Sequence, residues 1–395
     1  MIIELTVALI VGIFAGTFTG LAPGIHINLI GAMLVAFSAS LLAPIDSTYL
    51  VVFIVSMSIT HSFVDFIPSI FLGCPNDDTS LSVLPGHEML KKGRGHAAVL
   101  LTAYGCLTAT ILTILISYPL IITVKKIYPL IQTSIPYILI TVSIIMIFSE
   151  KRKISSMTVY FITGILGLII LNLDRLEEPL LPLLSGLFGA SSLIISIKNK
   201  IHIPKQTLEI ERPELTKPII ASLIASPLCG FLPGLGSGQA AILGNVISRA
   251  DRRGFLVLQG ATSTLVMAFS FLSLYAISKT RTGSAAAIKD LIGQPSPQIL
   301  IIILASVLIS GVISFFITKK LSALFSQNIN KINYSKLSIA TTILLTIVVI
   351  IFSGPLGFLT FTISTFTGIY CIQTGVKRTN MMACLLLPTI VLYLF

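Results

Sequence analysis

His61 and Asp65 stand four residues apart inside ITHSFVDFIPSIFLG, a stretch that is otherwise mostly apolar. On a helix, residues i and i+4 share a face. An ionisable pair in such a setting is a functional hypothesis by default. A carboxylate there binds Na⁺ or carries a proton, and an imidazole titrates near neutral pH. The competing reading is a satisfied structural pair at a helix interface. The loop that follows, GCPNDDTSLSVLPGHEMLKKGRGHAA, sets Asn76, Asp77, Asp78, Thr79 and Ser80 directly after a proline. Oxygen clusters suit hard cations, although the spacing is not that of an EF-hand. His61, Asp65, Asp77, Asp78 and Thr79 are therefore the candidate cation-coupling residues.

A second kind of chemistry is suggested by two interruptions of the apolar pattern. FTGLAPGIHIN spans Phe18 to Asn28, and LCGFLPGLGSGQ spans Leu228 to Gln239. Proline ends the preceding helix, and the glycines let backbone approach a ligand. The helix that starts beyond each Pro-Gly presents free N–H groups and a positive dipole end, which suits a carboxylate or phosphate. His26, Asn28, Ser237 and Gln239 add side-chain partners. Further on, Lys279 and Arg281 form a basic cluster, and Arg offers bidentate geometry to such anions. The candidate substrate-binding residues are thus Pro23, Gly24, His26, Asn28, Asn76, Pro233, Gly234, Gly236, Ser237, Gly238, Gln239, Lys279 and Arg281. The alternatives are a tight structural turn for each tip and plain surface charge for the basic pair.

The elements that must hold these residues are helices in lipid. The chain is 54% hydrophobic and 10% charged, with a mean hydropathy of +0.98; a soluble domain carries roughly 25% charged residues. Apolar runs recur, separated by short polar breaks, and lipid admits such runs only as helices. The fold class is an all-α polytopic membrane protein of about 12–14 membrane segments. Fourteen segments can be traced: 5–22, 27–43, 49–73, 97–122, 127–148, 157–172, 180–197, 218–232, 239–248, 255–278, 298–318, 337–352, 356–372 and 379–395. A polar stretch, 199–217, divides them into a first repeat, 1–198, and a second, 218–395.

The halves echo each other. At an offset of 210, Gly20, Pro23 and Gly24 coincide with Gly230, Pro233 and Gly234. Seven segments per half force the second to insert upside down, as in many secondary transporters. Of the 26 Lys and Arg, the odd-numbered connections hold 20 and the even-numbered ones 6. The positive-inside rule then makes the odd connections cytoplasmic and both termini external. Segments 218–232 and 239–248 are too short to cross singly, and Lys217 and Arg249 flank them on one side. They are expected to form a re-entrant hairpin tipped by PGLGSG, with an inverted counterpart around Pro23–Gly24; the alternatives are broken helices and, for the longer first pair, two full crossings. The first segment lacks a basic leader and is read as a retained membrane segment.

Other chemistries are excluded by what is missing. The five cysteines show no metal-ligand or disulfide spacing and are read as small reduced hydrophobes. No G-x-S-x-G, H-E-x-x-H or P-loop lysine occurs, so no enzymatic activity is expected. The net charge of +11 reports topology, with no nucleic acid as partner.

At GLAPGIHIN, PSIFLGCPNDDTSLSVLPGHEMLKKGRGHAA and FLPGLGSGQAAILG the chain resembles the large membrane subunit of the tripartite tricarboxylate transporters, in its archaeal-type branch. Pro85, Gly86 and Gly93 match that family's second Pro-Gly segment. The first tip carries Ile-His-Ile-Asn where the bacterial pattern is richer in glycine. The resemblance implies a cation-coupled permease for carboxylates in the cell membrane, with Pro23, Gly24, Pro233, Gly234 and the 75–80 loop along the substrate path. It also implies partners: a small membrane subunit and an extracytoplasmic binding protein. The leading expectation is a secondary transporter of small organic anions, with Na⁺ or H⁺ as coupling ion and no cofactor. The alternatives are a translocase for a lipid-linked phosphate carrier, such as a polyprenyl phosphate, and an intramembrane enzyme acting on a lipid-linked substrate.

Overall fold

The protein was analysed as a computed structural model, which describes residues 2–22, 34–35, 45–73, 79–148, 150–173, 175–176, 179–198, 204–210, 213–231, 236–329 and 334–394. Among these residues there is no β-strand. The first half contains α1 (Ile2–Leu21), α2 (Ser47–Val64), α3 (Phe66–Phe71), α4 (Val83–Leu90), α5 (Gly95–Ile131), α6 (Ile135–Phe148), α7 (Lys153–Leu171), α8 (Leu180–Leu184) and α9 (Ser191–Lys198), the last two joined by a π-helical turn at Ser185–Ala190. The second half contains α10 (Thr216–Phe231), α11 (Ser237–Ser248), α12 (Arg252–Ile277), α13 (Gly283–Ile292), α14 (Pro297–Ile329), α15 (Tyr334–Thr374) and α16 (Ala383–Leu394).

Among the described residues, seven helices are long and apolar enough to cross a membrane, and three shorter apolar helices accompany them. Two of the seven are enclosed by protein along almost their whole length: the α2–α3 rod and α12, each 94% buried over its apolar window. By contrast α1 is 28% buried and α15 22% buried, leaving wide apolar faces such as Val7, Phe14, Ile351 and Phe366 for lipid. Buried polar residues line the two enclosed helices, with Thr60, His61, Ser62, Asp65 and Ser69 on one and Gln259, Thr262, Ser263, Thr264 and Ser270 on the other, and form the inward stripe of α14 at Ser306, Ser310, Ser314, Thr318, Ser322 and Ser326. That division follows from the cost of polar groups facing hydrocarbon. Many of the buried hydroxyls donate back to their own helix, as Ser58 does to the Ile54 carbonyl (2.7 Å).

Helix starts follow capping rules. Asp46 accepts from the Thr48 N–H ahead of α2, and Asp251 accepts from the Gly254 N–H ahead of α12. Between α2 and α3 the rod breaks at Asp65, three residues before Pro68. Proline has no N–H for the carbonyl four residues back, here that of Val64, and its ring crowds that carbonyl.

Small residues set how closely the helices approach. A Cβ built on Gly12, Gly16 or Gly20 of α1 would lie 2.0–2.9 Å from Ser56 Oγ, the Met57 carbonyl and Val64 Cβ respectively, all on α2. Side chains at this four-residue spacing would push the helices apart. In the second half Ser222, Ser226 and Gly230 stand at the same spacing on α10, which packs on α12. Gly105 of α5 and Gly260 of α12 make the tightest reciprocal crossing, each 2.1 Å (as a built Cβ) from a carbonyl of the other helix. The packing is paired throughout. α1 lies on α2 as α10 lies on α12; α5 on α12 as α14 on α2; and α4 on α12 as α13 on α2.

Several boundaries differ from those read in the sequence. Lys125 and Lys126, expected in a loop between segments 97–122 and 127–148, lie within α5, which runs for 37 residues before a 3₁₀ turn at Gln132–Ser134. Lysine is a good helix former, and the Lys125 ammonium sits 5.6 Å from the centre of the Tyr275 ring. Similarly α14 continues past residue 318 to Ile329, through Lys319 and Lys320. The expected division between 352 and 356 is present as a sharp turn in α15 at Gly354 (φ 62°, ψ −162°). A Cβ built on Gly357 would lie 3.4 Å from the Val349 carbonyl oxygen, whereas eight residues of unbroken helix rise about 12 Å.

Candidate functional site

The first cluster forms where the α2–α3 rod breaks. His61 Nε2 lies 3.6 Å from Asp65 Oδ2, and both side chains are almost fully buried. The close α1–α2 contact brings in Thr19, whose hydroxyl is 3.0 Å from His61 Nδ1. Beyond the break, Ser69 Oγ is 2.8 Å from the Asp65 carbonyl oxygen and 2.7 Å from Thr79 Oγ1. Thr79 thus reaches the same region from the following loop, and its hydroxyl pairs with Ser69, with no cap bond to the 3₁₀ turn at Ser80–Ser82. Cys106 Sγ lies between the carbonyls of Ser62 (3.7 Å) and Gly260 (3.3 Å), tying α5 to both enclosed helices. On the α12 side, Ser263 Oγ is buried and has no hydrogen-bond partner among the described residues.

The second cluster forms at the start of α11. Gly236 stands at the N-cap in extended backbone (φ −112°), and its N–H donates to Gln239 Oε1 at 2.8 Å. Gln239 is 1% exposed, and its Nε2 has no hydrogen-bond partner among the described residues. Arg281 arrives from the loop after α12. Ser278, in the left-handed region, ends α12, and the chain then folds back so that the N–H groups of Arg281 and Thr282 both donate to Ser270 Oγ at 3.0 Å. This directs the guanidinium to the tip: a Cβ built on Gly236 would lie 2.9 Å from Arg281 Nη2. A side chain at 236 would displace the ends of Arg281 and Gln239 from this position. Two positive features, the helix N-terminus and the guanidinium, converge on one place, which favours an anion between them.

Of the residues singled out in the sequence, the structure brings together His61, Asp65 and Thr79 in one cluster, and Gly236, Ser237, Gly238, Gln239 and Arg281 in the other. Lys279 is exposed. Pro23, Gly24, His26, Asn28, Asn76, Asp77, Asp78, Pro233 and Gly234 lie outside the described residues. Sequence reasoning missed Thr19 and Ser69. Thr19 was accessible in principle, since the Gly12-Gly16-Gly20 spacing marks the face of α1 that packs closest. Among the described residues, no group of three or more His, Cys, Asp or Glu is placed to hold a metal ion.

α10 and α11 lie against each other, with Gly244 facing Ala221 at 3.5 Å (built Cβ to carbonyl oxygen). Ala221 is ten residues before the end of α10 and Gly244 seven after the start of α11, so the two helices run side by side.

No solved structure matches the chain. Over 400 aligned residues, covering 98% of this chain and 98% of the relative, it is 33% identical to the uncharacterized protein MJ1079 of Methanocaldococcus jannaschii. Residues 6–383 match the tripartite tricarboxylate transporter TctA family. With that match across nearly its whole length and a membrane-type helical architecture, the chain belongs to the tripartite tricarboxylate transporter TctA family, whose members transport tricarboxylates or related anions.

Proposed function

We propose that the protein is a secondary active permease for small organic polyanions, with carboxylates as the substrate class, coupled to Na⁺ or H⁺. The observation that carries this reading is the meeting of Arg281 with the N-terminus of α11 beside the buried Nε2 of Gln239, which donates to no group among the described residues. A carboxylate seated there would accept from the guanidinium, from the α11 N–H groups and from Gln239 Nε2. Asp65 is the coupling group, with His61 as its partner, and the break at Pro68 frees the Val64 carbonyl beside it. The reciprocal packing of the two halves supports two inverted repeats, 1–198 and 218–395, that alternate access between the membrane faces. The side-by-side arrangement of α10 and α11 supports a re-entrant hairpin. In this reading the protein sits in the cell membrane with both termini outside. A small membrane subunit and an extracytoplasmic binding protein are its assembly partners.

The test is uptake of labelled citrate into proteoliposomes under an imposed Na⁺ or pH gradient. Uptake that ignores both gradients would remove the coupling. Thermal stabilisation of the purified protein by a polyprenyl phosphate, with none by di- or tricarboxylates, would replace the permease by a lipid-carrier translocase.

A further inference from the structure

At the other end of α11, a cavity of about 320 Å³ is lined by Glu88, Asn245, Asp251, Arg252, Lys377 and Arg378. α11 is 12 residues long, so about 18 Å separates its ends. Three distant parts of the chain build the walls: α4, the α11–α12 junction, and the turn after α15. An adjoining hollow of about 250 Å³ shares Glu88, Asp251 and Arg252, and adds Lys92, Arg94 and Arg253. Positive groups outnumber acids across the two hollows. Both acids are already engaged: Asp251 caps α12, and Glu88 pairs with Arg252.

Arg378 is built in place. Its Nη1 donates to Ser192 Oγ at 2.5 Å and lies 3.5 Å from the Phe188 carbonyl oxygen in the π-helical turn. Burial pushes its pKa down to about 10, so it remains charged at neutral pH. Asn245 contributes a side-chain oxygen that is buried with no hydrogen-bond partner among the described residues. Turning over that amide would present a donor to an anion in the cavity. Neither Arg378 nor Asn245 takes part in the clusters at Asp65 and Gln239.

We propose that this cavity is a second anion-binding site, formed by Arg252, Arg378 and Asn245, for a small oxyanion carrying two or more negative charges. The Glu88 carboxylate is a tethered occupant of Arg252, and an arriving carboxylate or phosphate displaces it. The site lies at the Lys- and Arg-rich ends of the helices and serves as a station for the anion outside the α11 N-terminus. Only the choice of citrate as first probe rests on the permease reading.

The experiment places a reporter in the wall. Ala250 lines the cavity and is half-buried, and Cys106, Cys229, Cys371 and Cys384 are all buried. In full-length protein carrying Cys74→Ser, Ala250→Cys is labelled with a membrane-impermeant maleimide at constant ionic strength. Citrate, succinate or inorganic phosphate is then added. Citrate is expected to slow labelling several-fold, and to do so equally in an Arg281→Gln background. Arg378→Gln is expected to abolish the protection and Arg378→Lys to restore part of it; Arg252→Gln, as an independent variant, is expected to weaken it. Protection by phosphate alone would keep the site and change its ligand class. No protection by any of the three anions would overturn the proposal, as would protection that disappears with Arg281→Gln. Citrate uptake measured on the same protein separates the two readings. Uptake without protection rejects the second site alone, whereas protection without uptake rejects the permease and leaves the site.

Discussion

Replacement of Arg281 by Gln isolates the group that the anion site depends on most. The guanidinium reaches the N-terminus of α11 because Ser270 holds the backbone of Arg281 and Thr282. Gln keeps a similar reach and a donor but removes the charge. A hydrogen bond to a charged group is worth about 1.5–3 kcal/mol, which corresponds to a loss of about 12- to 140-fold in affinity at about 1.4 kcal/mol per tenfold. The N–H groups of α11 remain, and they contribute only about 0.3–1 kcal/mol to holding an anion. The readout is thermal stabilisation of the purified protein by citrate. At a concentration 100 times Kd, a ligand that binds the folded form stabilises it by about 2.7 kcal/mol. With Kd raised about 30-fold, the same concentration leaves about 0.9 kcal/mol. Arg281→Lys is expected to fall between, since lysine keeps the charge and loses the bidentate fork. Gln239→Leu removes one neutral donor to the anion, worth about 0.5–1.5 kcal/mol, and is expected to cost less citrate stabilisation than Arg281→Gln; losing the bond from the Gly236 N–H to Oε1 lowers the melting temperature without ligand and is read separately. If Arg281→Gln folds and citrate still stabilises it by the full amount, Arg281 does not hold the anion and the argument from the α11 N-terminus fails.

Asp65→Asn preserves shape and removes charge; it is expected to abolish cation-dependent uptake while anion stabilisation persists, and unchanged gradient-driven uptake would exclude Asp65 from coupling. Gly260→Ala puts a Cβ 2.1 Å from the Thr102 carbonyl oxygen, and is expected to destabilise the fold by about 1–3 kcal/mol, the usual range for overpacking. Combining it with Gly105→Ala is expected to give less than the sum, because one widening of the α5–α12 crossing relieves both overlaps; full additivity in thermal melts would refute the shared crossing. Cysteines replacing Lys217 and Arg249 are expected to label from the same membrane face, and opposite labelling would replace the hairpin by a broken span. His87 is buried, and burial together with Lys91 and Arg378 pushes its pKa down to about 3. Below pH 6.5 the unfolded chain therefore binds a proton that the folded one refuses. Stability is expected to fall toward acid by up to about 1.4 kcal/mol per pH unit, and His87→Gln is expected to flatten that slope in melts between pH 6.5 and 4.

Much was decided by local chemistry that any reader of the chain can apply. Long apolar runs have to become helices in lipid, because no other local structure satisfies their backbone without water. The i, i+4 spacing of His61 and Asp65 was enough to place them on one face, and the structure sets them 3.6 Å apart. The gap read between segments 337–352 and 356–372 is where α15 turns, at Gly354. Where apolarity and helicity part company, the sequence misleads. Lys125, Lys126, Lys319 and Lys320 end the greasy pattern, yet a helix needs only backbone hydrogen bonds and tolerant side chains, so α5 and α14 continue through them. Contacts across the chain were decided by tertiary packing alone. Thr19 meets His61 because three glycines let α1 sink onto α2. Arg281 reaches Gly236 because Ser270 turns the chain inward, while Lys279, two residues earlier and identical in charge, stays exposed. Charge and spacing can nominate a residue for a site, but the direction of a side chain is set by the neighbours that hold its backbone.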